Sequence, residues 1–275
     1  MHKSTINEAW MITKDKIDEY INKIPPAPQA LKETLALLNA GELIKASKVA
    51  QTDLALAAYL KELVNKPIYG FANEVSDVSQ IFGILGVSGS QQTVYNYMTT
   101  LLSPGKWVLF SLNSRSFHEL QAKLSKGWEQ ILEHLSIDDK NISSSIALLP
   151  ASVIVSEALF NEKIDDVNLL RSAKNLDYNT ILTRLCGVGI FDICEQISVK
   201  WDMPPEIAQI IQASSGLKPS EDETINLLGK WMHLLLFYEL SQPMFIKAGL
   251  NDFIDFQVEY VGDIYEEFST LMEIA

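Results

Sequence analysis

Apolar residues return every three or four positions along almost the whole chain, and no run alternates apolar and polar residues between turn signals. This pattern constrains the fold more than any other feature, because a helix buries a stripe of period 3.6 and a strand buries one of period 2. Leu31, Leu35 and Leu38 fall at i, i+4, i+7 after Pro25, Pro26 and Pro28, which block an earlier helix start. Leu56, Leu60, Leu63 and Val64 mark the next helix, with Asp53 at its N-terminal end to accept orphan amides. Asn65 and Tyr69-Gly70 close it. Val78, Ile81, Phe82 and Leu85 mark a third helix, stopped by Gly86. Phe117, Leu120, Leu124, Trp128, Ile131 and Leu135 predict a long helix. Residues 143–160 are apolar on several sides, which predicts a central buried helix bent near Pro150. Further helices are expected over 167–173, 180–186, 191–201, 205–213, 224–240 and 252–274. The fold class is all-α, with no repeat at a solenoid period.

At 275 residues and 47% apolar composition, the chain can bury a large core, as one elongated domain or two closely packed lobes. A soft boundary at Ser103-Pro104-Gly105 separates an N-terminal helical lobe from the rest. The formal net charge of −13 disfavours nucleic acid as a partner, and Arg115, Arg171 and Arg184 are the only arginines. The N-terminus M-H-K-S-T-I-N-E-A-W has no apolar h-region, and neither 146–154 nor 231–238 is long enough to span a bilayer. Cys186 and Cys194 match neither a redox pair nor a zinc knuckle and read as free thiols. A soluble, cytoplasmic protein with no membrane insertion is expected.

Little of the remaining chemistry is specific. Gly86-Val87-Ser88-Gly89-Ser90 lacks the closing glycine and preceding strand of a nucleophile elbow, and reads as a turn capping a helix that carries Val94, Met98 and Leu101. Gly187 and Gly189 lack the third glycine of a dinucleotide site. The cluster Trp231–Tyr238 reads as core with a packed, hydrogen-bonded His233, and as a docking surface only where it is exposed. The four histidines, His2, His118, His134 and His233, are far apart in sequence, and none precedes an aspartate.

The order I-P-P-A-P-Q at 24–29, Asp53, Asn65, Tyr69-Gly70 and V-S-D-V-S-Q-I-F-G-I-L-G ending at Gly86 resembles the HDOD family (HD-related output domain). Trp201-Asp202-Met203-Pro204 is the best anchor in the second half, where the likeness is looser. The resemblance spans residues 17–216 and implies a multi-helical, HD-domain/phosphodiesterase-like bundle. It divides into a helical lobe (17–103) and an HD-like lobe (104–216), preceded by an arm (1–16). A C-terminal helical extension (217–275) is expected to pack on the HD-like lobe. Leu54 and Lys66 depart from the proline and serine common in the family, which puts in doubt any function shared through those side chains.

HD hydrolases hold metal through several histidines and a His-Asp pair, with a metal-bound water as nucleophile. The resemblance puts Pro150 and Ala151 where the His-Asp pair would stand. Gln130 falls two residues after Trp128, Ile190 eleven before Trp201, and Ser214-Ser215 where paired histidines are common. The last aspartate would lie on the helix after residue 224, yet no Asp occurs from 224 to 250. The resemblance therefore implies a non-enzyme with no cofactor and no metal. The expected function is a noncatalytic bacterial signal-transduction output or adaptor module that recognises an unidentified signalling protein. The alternatives are a small-molecule or nucleotide sensor using a vacated pocket lined by Gln130, Pro150, Ile190 and Ser214, and a residual metal-dependent phosphohydrolase.

Overall fold

A computed structural model of the chain describes residues 12–251 and 253–274, and every regular element among them is helical. The readings that rest on residues 1–11, including His2 and the N-terminal decapeptide, lie outside the described residues.

Helix α1 (Lys14–Lys23) ends at Ile24, where Pro25 and Pro26 enforce extended backbone. The helix begins within the expected arm, behind the Thr13 cap. Pro28 then opens α2 (Gln29–Asn39), followed by α3 (Leu43–Thr52) and α4 (Leu54–Val64). Asp53 ends α3 and begins α4, its Oδ1 accepting the amides of Ala55 and Leu56, both at 3.0 Å. Asn65 closes α4 through its side chain rather than through a left-handed turn. Nδ2 donates to Lys61 O and Val75 O, and Oδ1 accepts the Val75 amide, each at 2.8 Å. Gly70 ends the following 3₁₀ turn, Pro67–Tyr69, at φ 69°.

Helix α5 (Val78–Thr100) is two helical segments that meet at Gly86, where the first was expected to stop. The glycine does break the ladder, at φ 65° and ψ −171°, but the chain re-enters the helix at once. Ser90 is therefore buried inside α5 rather than capping a new helix, and Gly86 marks a kink. An irregular segment leads to α6 (Ser114–His134), which starts with a reciprocal Asn113–Ser116 capping box. The segment is tied down by Glu157, whose buried carboxylate accepts the amides of Val108, Leu109 and Phe110 at 2.6–3.1 Å.

The central apolar stretch is α7 (Lys140–Ser145), a 3₁₀ turn (Ile146–Leu148) and α8 (Ala151–Phe160), broken at Pro150 as expected. After these come α9 (Ile164–Lys174), α10 (Tyr178–Cys186), α11 (Ile190–Lys200), α12 (Pro205–Ala213) and α13 (Glu223–Leu240). Among the described residues, only the stretch 140–173 is apolar and long enough to cross a membrane, and 83% of its most apolar window is buried inside the protein. It is the core of the fold.

Helix α5 packs on α2, α3 and α4 on one side and on α7 on the other, so it joins the two halves of the molecule. Helix α13 lies against α6 and α12. Close approach there depends on Gly229, where a Cβ would stand 2.6 Å from that of Ala213. Trp231 to Leu236 are all buried, with only Phe237 and Tyr238 half-exposed, so this cluster is core.

The single helix expected over 252–274 is not formed. Beyond α14 (Pro243–Lys247) the chain forms only short turns, α15 (Val258–Val261) and α16 (Tyr265–Leu271); Asp252 lies outside the described residues. Phe253, Val261 and Phe268 nonetheless reach the core, at 1% exposure or less.

Candidate functional site

Five of the six positions aligned with metal ligands are closed into the interior. Pro150 caps α8, and Ala151 and Ile190 are completely buried. The Ile190 amide donates to Asn179 Oδ1 at 2.7 Å. Ser214 ends α12 and turns its hydroxyl back to Ile211 O (2.7 Å), while its carbonyl accepts from His233 Nδ1 at 2.9 Å. Ser215 Oγ accepts the Leu217 amide at 3.2 Å. Both hydroxyls are thus committed to backbone.

Gln130 stands apart. It is exposed on the outer face of α6, while Trp128 beside it is buried and donates from Nε1 to Ile142 O at 3.0 Å. None of the five main clefts brings Gln130 together with Pro150, Ile190 or Ser214.

Among the described residues, no three His, Cys, Asp or Glu side chains gather where they could hold a metal ion. The three described histidines serve as ties between separate elements. His118 pairs with Glu62 at 2.9 Å and meets Tyr59 edge-on, and His134 pairs with Glu267 at 2.6 Å against Trp231. His233 is fully buried, and desolvation holds its imidazole below its usual pKa, in the neutral form that can accept from the Gln257 amide. Cys194 is buried and Cys186 half-buried, and desolvation raises both thiols above their usual pKa.

The family-motif residues have structural tasks. Trp201 is buried at the end of α11 and donates from Nε1 to Pro25 O at 3.1 Å, joining the proline-rich entry to the far half of the fold. Pro204 opens α12. Tyr69 is half-buried beside a cleft of about 320 Å³ between α5 and α6, which Ser88, Gln92 and Ser125 also line.

Sequence reasoning missed two buried acids. Glu157 was hidden within an apolar helix. Glu239 escaped because the search along α13 was for aspartate, yet it lines a cleft of about 420 Å³ with Lys123, Lys126 and Gln130. Burial pushes its carboxyl up to about 7, against the field of Lys123 and with that of Glu119. A glutamate four residues after Leu235 and three after Leu236, on the stripe that both bury, was the available signal.

A model of the HDOD domain family matches residues 24–216. The fold is similar to that of an HDOD domain protein of unknown function from Geobacter sulfurreducens, with a TM-score of 0.64 at 14% identity, covering 94% of this chain and 95% of that one. A protein from Shewanella amazonensis, provisionally named a phosphohydrolase, gives 0.63 at 14% identity, covering 94% and 97%. One from Marinobacter aquaeolei, provisionally named a signal transduction protein, gives 0.59 at 16% identity, covering 94% of this chain and 64% of that one. No curated protein matches the chain.

Proposed function

The chain belongs to the HDOD domain family, and from that premise we propose that it is a noncatalytic signalling module that acts by recognising another protein. The observation that carries this reading is the character of the aligned ligand positions. Pro150, Ala151 and Ile190 present no donor atom to an ion and are sealed in the core, and the Ser214 and Ser215 hydroxyls are spent on backbone. Metal-assisted hydrolysis needs a cation with an open coordination position and a water on it. Apolar side chains in a closed interior supply neither. The resemblance to a signal transduction protein is in accord with an output role, and the scaffold of short, well-capped helices is suited to presenting a fixed surface.

The test is direct. Protein purified without chelators should carry far less than one equivalent of transition metal by mass spectrometry. It should also leave a generic phosphodiester uncleaved in the presence of added manganese. Cross-linking in the native cell should recover the same partner protein from repeat preparations. Stoichiometric metal together with metal-dependent turnover would replace this reading with the phosphohydrolase one.

A further inference from the structure

Glu239 is 6% exposed on the wall of the cleft between α6 and the C-terminal segment, and its Oε2 meets no hydrogen-bond donor. A sealed carboxylate oxygen without a partner is costly, so such a group is retained only where something offsets the cost. Lys123 lines the same cleft from α6 and its field reaches Glu239, yet it forms no ion pair with a described carboxylate. An acid and a base thus face one cavity without meeting each other.

The other charged groups are accounted for. Lys126 is held by Glu129 at 2.7 Å, Glu119 on α6 adds a repulsive field to Glu239, and Glu273 sits on the cleft's C-terminal side. The Gln130 amide, also lining the cleft, offers both a donor and an acceptor.

We infer that this cleft binds a zwitterionic small molecule of the free α-amino acid class, its ammonium donating to Glu239 and its carboxylate accepting from Lys123. A simple cation would satisfy Glu239 but would sit beside an uncompensated lysine, and a simple anion would meet two acids. A molecule carrying both charges neutralises both walls. A volume of about 420 Å³ is ample for such a ligand. The inference goes beyond the recognition role, to which it would add a chemical input. Because Glu239 is pushed up to about 7, binding should tighten as pH rises from 6 to 8 and the carboxylate ionises.

The experiment is calorimetric titration and thermal shift of the full chain with the common α-amino acids, with methylamine and acetate as half-ligands. At least one amino acid should bind and raise Tm, with both half-ligands at least about tenfold weaker. Glu239→Gln and Lys123→Met should each weaken binding about tenfold or more, by loss of a charge-assisted bond. Lys123→Met, at a half-exposed position, keeps the test valid should Glu239→Gln misfold. Absence of binding by any amino acid at about 10 mM would overturn the inference. So would affinity unchanged in a folded variant, or methylamine binding as tightly as the amino acid. None of these outcomes bears on metal content, so a failure here is distinct from a failure of the noncatalytic reading.

Discussion

Replacing Glu157 should loosen the segment that joins the two halves of the protein. Its carboxylate, fully buried, collects four contacts from three consecutive amides: Val108 at 2.6 Å, Leu109 at 3.1 and 2.9 Å, and Phe110 at 3.1 Å. Successive amides converging on one anion form a nest, and each charge-assisted bond is worth about 1.5–3 kcal/mol. Glu157→Ala would not lose the full sum, because Val108 is 49% exposed and its amide can turn to water. Phe110 cannot. It is 1% exposed, wedged against Tyr178 and Phe253, so its amide would stay dry and unpaired at about 1–3 kcal/mol. The lost methylene adds about 0.8 kcal/mol of burial. Allowing for relaxation, the expected destabilisation is about 3–5 kcal/mol. Glu157→Gln retains one acceptor oxygen and turns an NH₂ toward N–H donors, for about 2 kcal/mol. Urea unfolding followed by circular dichroism measures the loss. Hydrogen exchange should show the amides of residues 108–110 opening faster than those of α8. A loss under about 1 kcal/mol for Glu157→Ala, or unchanged exchange at those amides, would refute the claim that the carboxylate holds the segment.

Three further outcomes are expected. Gly229→Ala should destabilise by about 1–3 kcal/mol in urea, through overpacking; the new methyl would stand 2.6 Å from Ala213 Cβ, 2.7 Å from the Tyr260 hydroxyl and 3.0 Å from the Ala213 backbone. Asn65→Ala removes the bridge between the end of α4 and Val75 and should cost about 2 kcal/mol, with faster proteolysis in the loop before α5. Glu239 is raised from 4.5 to about 7, so the folded state holds its proton more tightly than the unfolded chain. Its contribution is therefore fully present below about pH 4.5 and is lost as pH rises through about 7, up to about 3 kcal/mol. Glu239→Gln should flatten that slope in denaturation measured from pH 5 to 8 and be more stable than the native chain at pH 8.

Local signals were readable wherever cap and periodicity agreed. Pro205–Ala213 forms as read from the sequence, and Glu223–Leu240 starts one residue early because Asp222 caps it. Helix α1 was legible only as a short stripe, Ile17, Tyr20 and Ile21 at i, i+3, i+4, of which Ile17 alone is fully buried. Gly86 was read as a helix stop and does leave helical geometry, at φ 65° and ψ −171°, but that a second segment follows at once depends on packing downstream. The Ser90 hydroxyl reaches Phe82 O at 3.5 Å across the break, and the helix resumes. In the C-terminal segment, Val261, Ile264 and Phe268 mimic helical spacing while the backbone is interrupted between α15 and α16. Side-chain spacing alone cannot register that interruption. The environment of the buried acids was out of reach for a related reason. What makes Glu157 tolerable is a set of amides some 47–49 positions away in the chain, and what sets Glu239 apart is the oxygen that no such group meets.

The positions that the resemblance aligns with metal ligands also bear on whether metal chemistry could be built here. A metal centre gathers several like-charged or strongly polar donors in a small volume, and those groups are tolerable together only while a cation neutralises them. Ala151 and Ile190 now lie at 0% exposure, and Ser214, equally buried, closes its hydrogen bonds on Ile211 and His233. Reinstating one ligand, such as a carboxylate at Ala151, would bury an unpaired charge with nothing to balance it, at several kcal/mol. An apolar side chain at such a position is stable on its own, whereas any single ligand there is penalised. Only a concerted change, which would also have to bring Gln130 inward from the face of α6, could rebuild a site. The interior at these positions is packed rather than polar. The polar chemistry on offer lies in surface clefts, such as the one that Glu239 and Lys123 both line.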